Sequence, residues 1–142
     1  MLERLPFDAI DGITRTYLIV VGVLYACIGL TWIIIPAGTT RTAGVEWLVG
    51  IEPWMIGVAW IVAGSTAVLG RFHPGLTNAG FQALIATPTL LGSWFLISWL
   101  FWVFSDGAIG AQRGIATTIS YAAFAVAAYV VARVHVLSRR HQ

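Results

Sequence analysis

The stretch TYLIVVGVLYACIGLTWIII, residues 16–35, contains no charged side chain and decides the fold of the chain. At a rise of about 1.5 Å per residue, some 20 apolar residues in a helix cross a hydrocarbon core of about 30 Å. This charge-free stretch continues to residue 40. Three more stretches without charge follow, at 53–70, 72–105 and 114–132. All eight arginines and all six acidic residues lie outside these four stretches. We therefore predict an all-α, polytopic integral membrane protein with four transmembrane helices in a compact bundle.

The whole chain, residues 1–142, is predicted to form a single transmembrane domain. Only 10% of its residues are charged, against about 25% in average soluble proteins, and four spans leave no room for a separate extramembrane catalytic domain. Pro36 and Gly38 end the first helix, and Pro53 suits the first turn of the second, although residues 45–51 are apolar enough to extend that span. The predicted helices cover about 13–35, 53–69, 81–104 and 114–134.

Pro88 lies inside the third predicted helix, within its first two turns. A proline there removes one backbone hydrogen bond and can kink the helix. The neighbouring hydroxyl groups of Thr87 and Thr89 could help to satisfy the freed backbone carbonyls. We therefore expect the third helix to continue through Pro88 rather than to end there.

The arginines are distributed unevenly between the two sides of the membrane. Four spans put both termini on one side, together with the loop around Arg71, and this side carries six of the eight arginines. The other two loops carry one each, Arg41 and Arg113. The positive-inside rule therefore predicts a multi-pass membrane protein with both termini in the cytoplasm. The apolar run at 16–35 exceeds the usual signal-peptide core, so we interpret the first span as a retained signal anchor.

Tryptophan is concentrated on the opposite side from arginine. In this orientation Trp60 and Trp94 lie near mid-depth, and none of the seven tryptophans falls at the inner rim. Aromatic belts normally occupy both interfaces. The outer tryptophans therefore either anchor the helix ends or form a surface that binds a partner, and both interpretations stay open. Five tryptophans make up this candidate partner surface: Trp32, Trp47, Trp54, Trp99 and Trp102.

Small and mildly polar residues predict where the helices pack. In lipid, close packing depends on small residues and on hydrogen bonds between helices, because apolar burial does not drive association there. The predicted small-residue seams are Gly22, Ala26 and Gly29 on the first helix and Ala59, Ala63 and Ala67 on the second, with Gly57 and Gly64 on a neighbouring stripe. The third and fourth helices are expected to share a polar seam made of Thr87, Trp94, Ser98, Phe101 and Ser105 with Thr117, Tyr121 and Ala128. A polar pore lining is the alternative interpretation of that seam.

The residues missing from the spans argue against several kinds of activity. A charge inside a span usually serves a proton relay or an ion path, and these spans carry none. Cys27 is the only cysteine, so it cannot form a disulfide within the chain, and we interpret it as a small core residue. His73, His135 and His141 are expected at or beyond the cytoplasmic ends, which disfavours a haem clamp. We predict no catalytic, cofactor or metal residue and no enzyme, and the scattered arginines do not suggest a nucleic-acid partner.

Three segments carry a resemblance to a known group of proteins. WMIGVAWIVAG at 54–64, GFQAL at 80–84 and GSWFLISW at 92–99 resemble small four-helix membrane proteins encoded by actinobacterial phages and prophages. The similarity covers about 54–133 and rests on glycine, tryptophan and aromatic spacing rather than on reactive groups. Because some members of this group look like holins, the resemblance implies a holin-like role in lysis, and it brings no catalytic residues with it.

Three hypotheses for function follow. The first is holin-like membrane permeabilisation by a homo-oligomer that associates through the small-residue seams, with the basic tail held by anionic lipid. The second is an accessory or structural subunit, or an immunity factor, that binds another membrane protein through the tryptophan-rich outer half. The third is a small channel or transporter, which lacks the charge expected inside its spans. In each case the lipid bilayer is a partner, and the holin-like role is the leading hypothesis, with the accessory role as its nearest alternative.

Overall fold

The computed structural model describes residues 7–34, 52–105 and 114–139, and these form four long helices packed side by side. Each helix is long and apolar enough to cross a membrane, and the described residues contain no strand. The prediction of an all-α protein with four membrane-spanning helices is therefore confirmed. The helices are α1 (Phe7–Ile34), α2 (Pro53–Phe72), α3 (Thr77–Phe104) and α4 (Gly114–Arg139), with a 3₁₀ turn at Pro74–Leu76 between α2 and α3.

The helices extend further than the apolar runs alone predict, chiefly at the end of the bundle where α1 begins and α4 ends. There α1 begins at Phe7 instead of residue 13, and α4 ends at Arg139 instead of residue 134. Polar side chains support these extensions; for example, Asp11 and Arg15 form an ion pair of 2.7 Å one turn apart in α1. The start of α2 at Pro53 coincides with the predicted residue.

Glycines bring α1 and α2 into direct backbone contact. The two helices run antiparallel, with Gly22 of α1 against Gly64 of α2 and Gly29 against Gly57. A Cβ added to Gly29 would lie 2.5 Å from the Gly57 carbonyl oxygen, and one added to Gly57 would lie 2.6 Å from that of Gly29. Because both glycine pairs are seven residues apart, they fall on one stripe of each helix. We call these four residues the glycine seam.

The other contacts complete a chain of neighbours from α1 to α4. The α2–α3 turn is closed by the Thr77 hydroxyl, which donates to the Gly70 carbonyl at 2.9 Å. Between α3 and α4, the Thr118 hydroxyl lies 3.1 Å from the Gly92 carbonyl and 2.9 Å from that of Gly114 in its own helix. Gly114 in turn fits against α3, because a Cβ there would lie 2.5 Å from the Phe95 carbonyl. The closest partners are thus α1 with α2 and α3 with α4.

Aromatic rings fill the centre of the bundle. The rings of Tyr25 and Trp60 meet edge to face with centroids 4.5 Å apart, and Phe124 of α4 lies 6.2 Å from Tyr25. Tyr121 of α4 contacts Trp60 at 5.4 Å and Phe95 of α3 at 5.7 Å. These edge-to-face geometries are the ones that aromatic quadrupoles favour. Through this aromatic cluster all four helices share one core.

Pro88 lies in the middle of α3 rather than in its first two turns, because the helix begins at Thr77. A proline has no N–H, so the carbonyl of Leu84, one turn earlier, loses its partner within the helix. The Tyr25 hydroxyl of α1 donates to this Leu84 carbonyl at 2.9 Å. Of the two expected threonines, Thr89 bonds to the Ile85 carbonyl at 2.7 Å. The freed carbonyl is therefore satisfied from a neighbouring helix.

Replacing Gly64 with alanine should destabilise the bundle. The added Cβ would meet the Gly22 carbonyl and lie 2.8 Å from the Ala26 amide nitrogen, so the helices must separate. Overpacking of this kind costs about 1–3 kcal/mol, which denaturant unfolding in detergent micelles should detect. Gly12→Ala is the matched control, since nothing lies within 4 Å of a Cβ at that α1 position. Equal stability of the two variants would contradict the glycine seam.

Replacing Tyr25 with phenylalanine should leave the Leu84 carbonyl without a donor and cost about 1 kcal/mol of unfolding free energy. A double-mutant cycle with Pro88→Ala tests the cause, because alanine restores the N–H that α3 itself can donate to Leu84. Tyr25→Phe should therefore cost less in the Pro88→Ala background than in the wild type. Equal costs in both backgrounds would show that the hydroxyl acts independently of the proline.

Candidate functional site

Exposed aromatic residues collect at one end of the bundle. We call this the loop end: α1 and α3 finish there, and α2 and α4 begin there. Trp54 is 51% exposed and Phe104 is 83% exposed. The loop-end aromatic surface consists of Trp54, Trp99, Phe101, Trp102 and Phe104, of which Trp99 and Trp102 are half-buried. The opposite end, which holds the start of α1, the α2–α3 turn and the end of α4, is the terminal end.

Trp32 does not belong to the loop-end aromatic surface, contrary to the prediction from its depth. It is only 2% exposed, because it lies on the side of α1 that faces α2. A Cβ added to Gly57 would come within 3.2 Å of the Trp32 Cβ. Trp47 lies outside the described residues. Of the mid-depth tryptophans, Trp60 is fully buried in the aromatic cluster and Trp94 is half-buried.

The predicted small residues of α1 and α2 divide between the contact and the surface. Ala63 and Ala67 are buried, and the backbone nitrogen of Ala26 lies close to Gly64. Ala59 is exposed, so it takes no part in packing within the chain. The contact instead follows Gly57 and Gly64, where the absence of a side chain lets the two backbones touch.

The contact between α3 and α4 is rotated relative to the predicted polar seam. A Cβ on Gly92 would lie 3.2 Å from the Tyr121 Cβ, and Thr118 rather than Thr117 bonds across to α3. Phe101 is exposed, whereas Ser98 is fully buried. The remaining predicted residues, Thr87, Trp94, Ser105 and Thr117, are half-buried, and Ala128 is buried. The interface therefore depends on the contact of Tyr121 with Gly92 and on the Thr118 hydroxyl, neither of which follows the predicted seam as a whole.

One further prediction needs correction. Cys27 is exposed on α1 and is not a core residue, because its helix turns the opposite face towards α2. His135 lies at the terminal end, inside the last turns of α4; it is buried, and its ring centroid is 6.1 Å from that of Phe81 in α3. His73 is exposed, at the α2–α3 turn. The two histidines therefore have different surroundings and do not form a matched pair.

Sequence reasoning missed the residue that contacts most of the bundle, Tyr25. The available signal was Pro88, since a proline inside a span requires a hydrogen-bond donor from elsewhere for the carbonyl of residue 84. It also missed a cluster of polar side chains at the terminal end, because Arg71 and His135 are far apart in the chain and lie beyond the charge-free stretches. Within the described parts of the chain, no group of three or more His, Cys, Asp or Glu side chains could hold a metal ion.

The described residues thus offer two surfaces with distinct chemistry, an aromatic one at the loop end and a polar, arginine-containing one at the terminal end. Both are positioned by apolar helices whose interior is filled by the aromatic cluster. Comparison with known proteins finds no matching family, no matching curated protein and no matching solved structure.

Proposed function

We propose that this chain is a small, non-enzymatic protein of the bacterial cytoplasmic membrane that binds another membrane protein, as an accessory subunit or an immunity factor. The observation that carries the proposal is the exposure of large aromatic side chains at the loop end, above all Trp54 and Phe104. Tryptophan and other aromatic residues are enriched at the centres of protein interfaces, where they supply a large contact area at low entropic cost.

The asymmetry of the aromatic residues supports a partner over simple anchoring. Lipid anchoring alone normally places aromatic belts at both interfaces. Here the terminal end has no tryptophan, and among the described residues its half of the bundle exposes Phe72, next to Arg71, and Tyr129 of α4. A surface needed only to fix the helix depth would not have to be so one-sided.

The glycine seam bears on the holin-like hypothesis. Self-association through Gly22, Gly29, Gly57 and Gly64 is the mechanism first expected for that hypothesis, but these glycines are occupied by contacts between α1 and α2 of the same chain. They are therefore not available to a second copy unless the hairpin opens. This favours the accessory role as the leading proposal.

Holin-like permeabilisation is a second candidate, favoured by the outward face of α4. The small residues Ala116, Ser120, Ala123 and Ala127 are all exposed and fall on one stripe of this helix. Small-xxx-small stripes allow transmembrane helices to approach closely. A second copy could therefore associate through α4 without disturbing the glycine seam.

Site-specific photocrosslinking should separate the two candidates. A photoreactive phenylalanine analogue at position 104 is expected to form one defined adduct with another membrane protein in the native host. The matched control is the same analogue at Phe72, which is 66% exposed but lies at the terminal end. Adducts with lipid alone, or the same adducts from both positions, would contradict the accessory role.

A second experiment tests the holin-like candidate: the membrane potential is followed with a dye during induced expression. The accessory role predicts an undisturbed potential. Abrupt, timed depolarisation that Ala123→Leu abolishes and Val126→Leu leaves intact would instead support the holin-like candidate. Val126 is exposed on α4 beside the small-residue stripe, so it controls for added bulk.

We also propose that both termini face the cytoplasm. Arg15, Arg71 and Arg133 all belong to the terminal end, whereas the described part of the loop end carries only the acidic Glu52. A reporter enzyme that is active only in the cytoplasm, fused after Gln142, should therefore be active. Activity instead from a fused reporter that works only outside the cytoplasm would reverse the orientation.

A further inference from the structure

A polar cavity of about 60 Å³ lies at the terminal end, where all four helices contribute to its walls. This volume exceeds the roughly 30 Å³ share of one water molecule and suits a group of a few heavy atoms. The cavity is separate from the loop-end aromatic surface on which the proposed function rests. Its polar side chains are Asp11, Thr14, Arg15, Arg71, Thr77 and His135.

The charge in this cavity is positive. Arg15 is neutralised by Asp11, whose carboxylate accepts from its guanidinium at 2.7 Å. Arg71 forms no ion pair or hydrogen bond with any residue that the structure describes. Among the described side chains that line the cavity, two arginines face one carboxylate, which leaves a net charge of +1. Guanidinium groups bind phosphate well, because their planar N–H groups match two oxygens at once.

Thr14 provides a second, independent indication that the cavity takes a polar ligand. Its side chain is among the most deeply buried in the protein, with 2% of the residue exposed. Its hydroxyl makes no hydrogen bond to another described residue, and its oxygen is not fully enclosed, so it stays accessible from the cavity that Thr14 lines. A ligand oxygen in the cavity would accept this hydrogen bond.

The start of α3 adds a favourable field. The helix is 28 residues long, begins at Thr77 in the cavity wall, and has no acidic residue in its first turn. The partial positive charge at a helix N-terminus stabilises anions, and the first turn of α3 carries no carboxylate of its own.

We propose that this terminal-end cavity binds the phosphate group of an anionic phospholipid, held by Arg71, Thr14 and the paired Arg15. Cavities at the ends of spanning helices lie at the depth of lipid headgroups. The exposed Phe72 beside Arg71 is placed to contact the adjoining lipid chains. A free phosphate ion offers the same chemistry to the site, so the experiment has to distinguish the two sources.

The test uses the full chain, purified in an uncharged detergent, with its unfolding temperature followed as ligand is added. Three probes are compared: dioctanoyl phosphatidylglycerol, dioctanoylglycerol, which lacks the phosphate, and sodium phosphate. We expect phosphatidylglycerol to stabilise the wild type with saturation and dioctanoylglycerol to have no saturable effect. Stabilisation by sodium phosphate at equal concentration would support the site and identify the free ion as its ligand.

Variants connect the effect to the cavity. Arg71→Gln should weaken phosphatidylglycerol binding about tenfold or more, since it removes a charged hydrogen-bond donor. Arg133→Gln is the matched control, because it removes the same charge from an exposed position of α4 at the same end of the bundle and outside the cavity wall. Equal weakening by both variants would reduce the effect to surface charge and overturn the proposal.

Thr14→Val covers the case in which Arg71→Gln does not fold. Valine keeps the shape of threonine and removes only the hydroxyl, so binding should weaken while the charge of the cavity stays unchanged. Unchanged binding by Thr14→Val, or equal responses of the wild type to phosphatidylglycerol and dioctanoylglycerol, would overturn the proposal. Neither result bears on the loop-end aromatic surface, so the accessory role would stand or fall separately.

Discussion

The contact of α1 with α2 at the glycine seam is the constraint on which the rest of the bundle depends. In a bilayer, apolar side chains gain little by leaving lipid for protein, so helices associate where their shapes permit close contact. Gly57 and Gly64 provide that shape, and an aromatic residue of α1 lies over each of them. A Cβ on Gly57 would come within 3.2 Å of the Trp32 Cβ, and one on Gly64 within 3.2 Å of the Tyr25 Cβ.

The glycine seam and the hydrogen bond to α3 are therefore linked. With no side chain at Gly64, Tyr25 can lie close to α2, meet Trp60 and still reach the Leu84 carbonyl. Pro88 leaves the Leu84 carbonyl without its helical donor, and the Tyr25 hydroxyl donates to it instead. The proline is therefore tolerated because the tyrosine is present, and the tyrosine has a buried acceptor because the proline is present. Tyr25 thereby connects the glycine seam, the edge-to-face aromatic cluster and the proline of α3, whose freed carbonyl would be costly in lipid if left without a donor.

The fold could be predicted from the sequence because long, apolar and charge-free segments are the ones that can cross a membrane. The faces of the helices were much harder to predict. Near-uniformly apolar spans have no amphipathic pattern, so depth can be inferred from residue number while rotation about the helix axis cannot. Trp32 illustrates this: its depth near the end of α1 follows from its position, but its burial against α2 depends on a rotation that the pattern does not encode.

The same reasoning explains which of the predicted packing residues were placed correctly and which were not. Gly22 and Gly29 could be identified because small residues are informative wherever they occur, whereas Ala59 shares that property and lies on the exposed side. The cavity around Arg71 depends on residues from four helices, which only the tertiary arrangement brings together.

Cys27 has a practical consequence that follows from its position on the outward face of α1. It is the only thiol of the chain, it lies inside a span, and it points away from the packed core. A nitroxide attached there needs no engineered cysteine and leaves the glycine seam intact. Distances measured between nitroxides on different copies in one bilayer would show directly whether the protein is a monomer or associates with itself there.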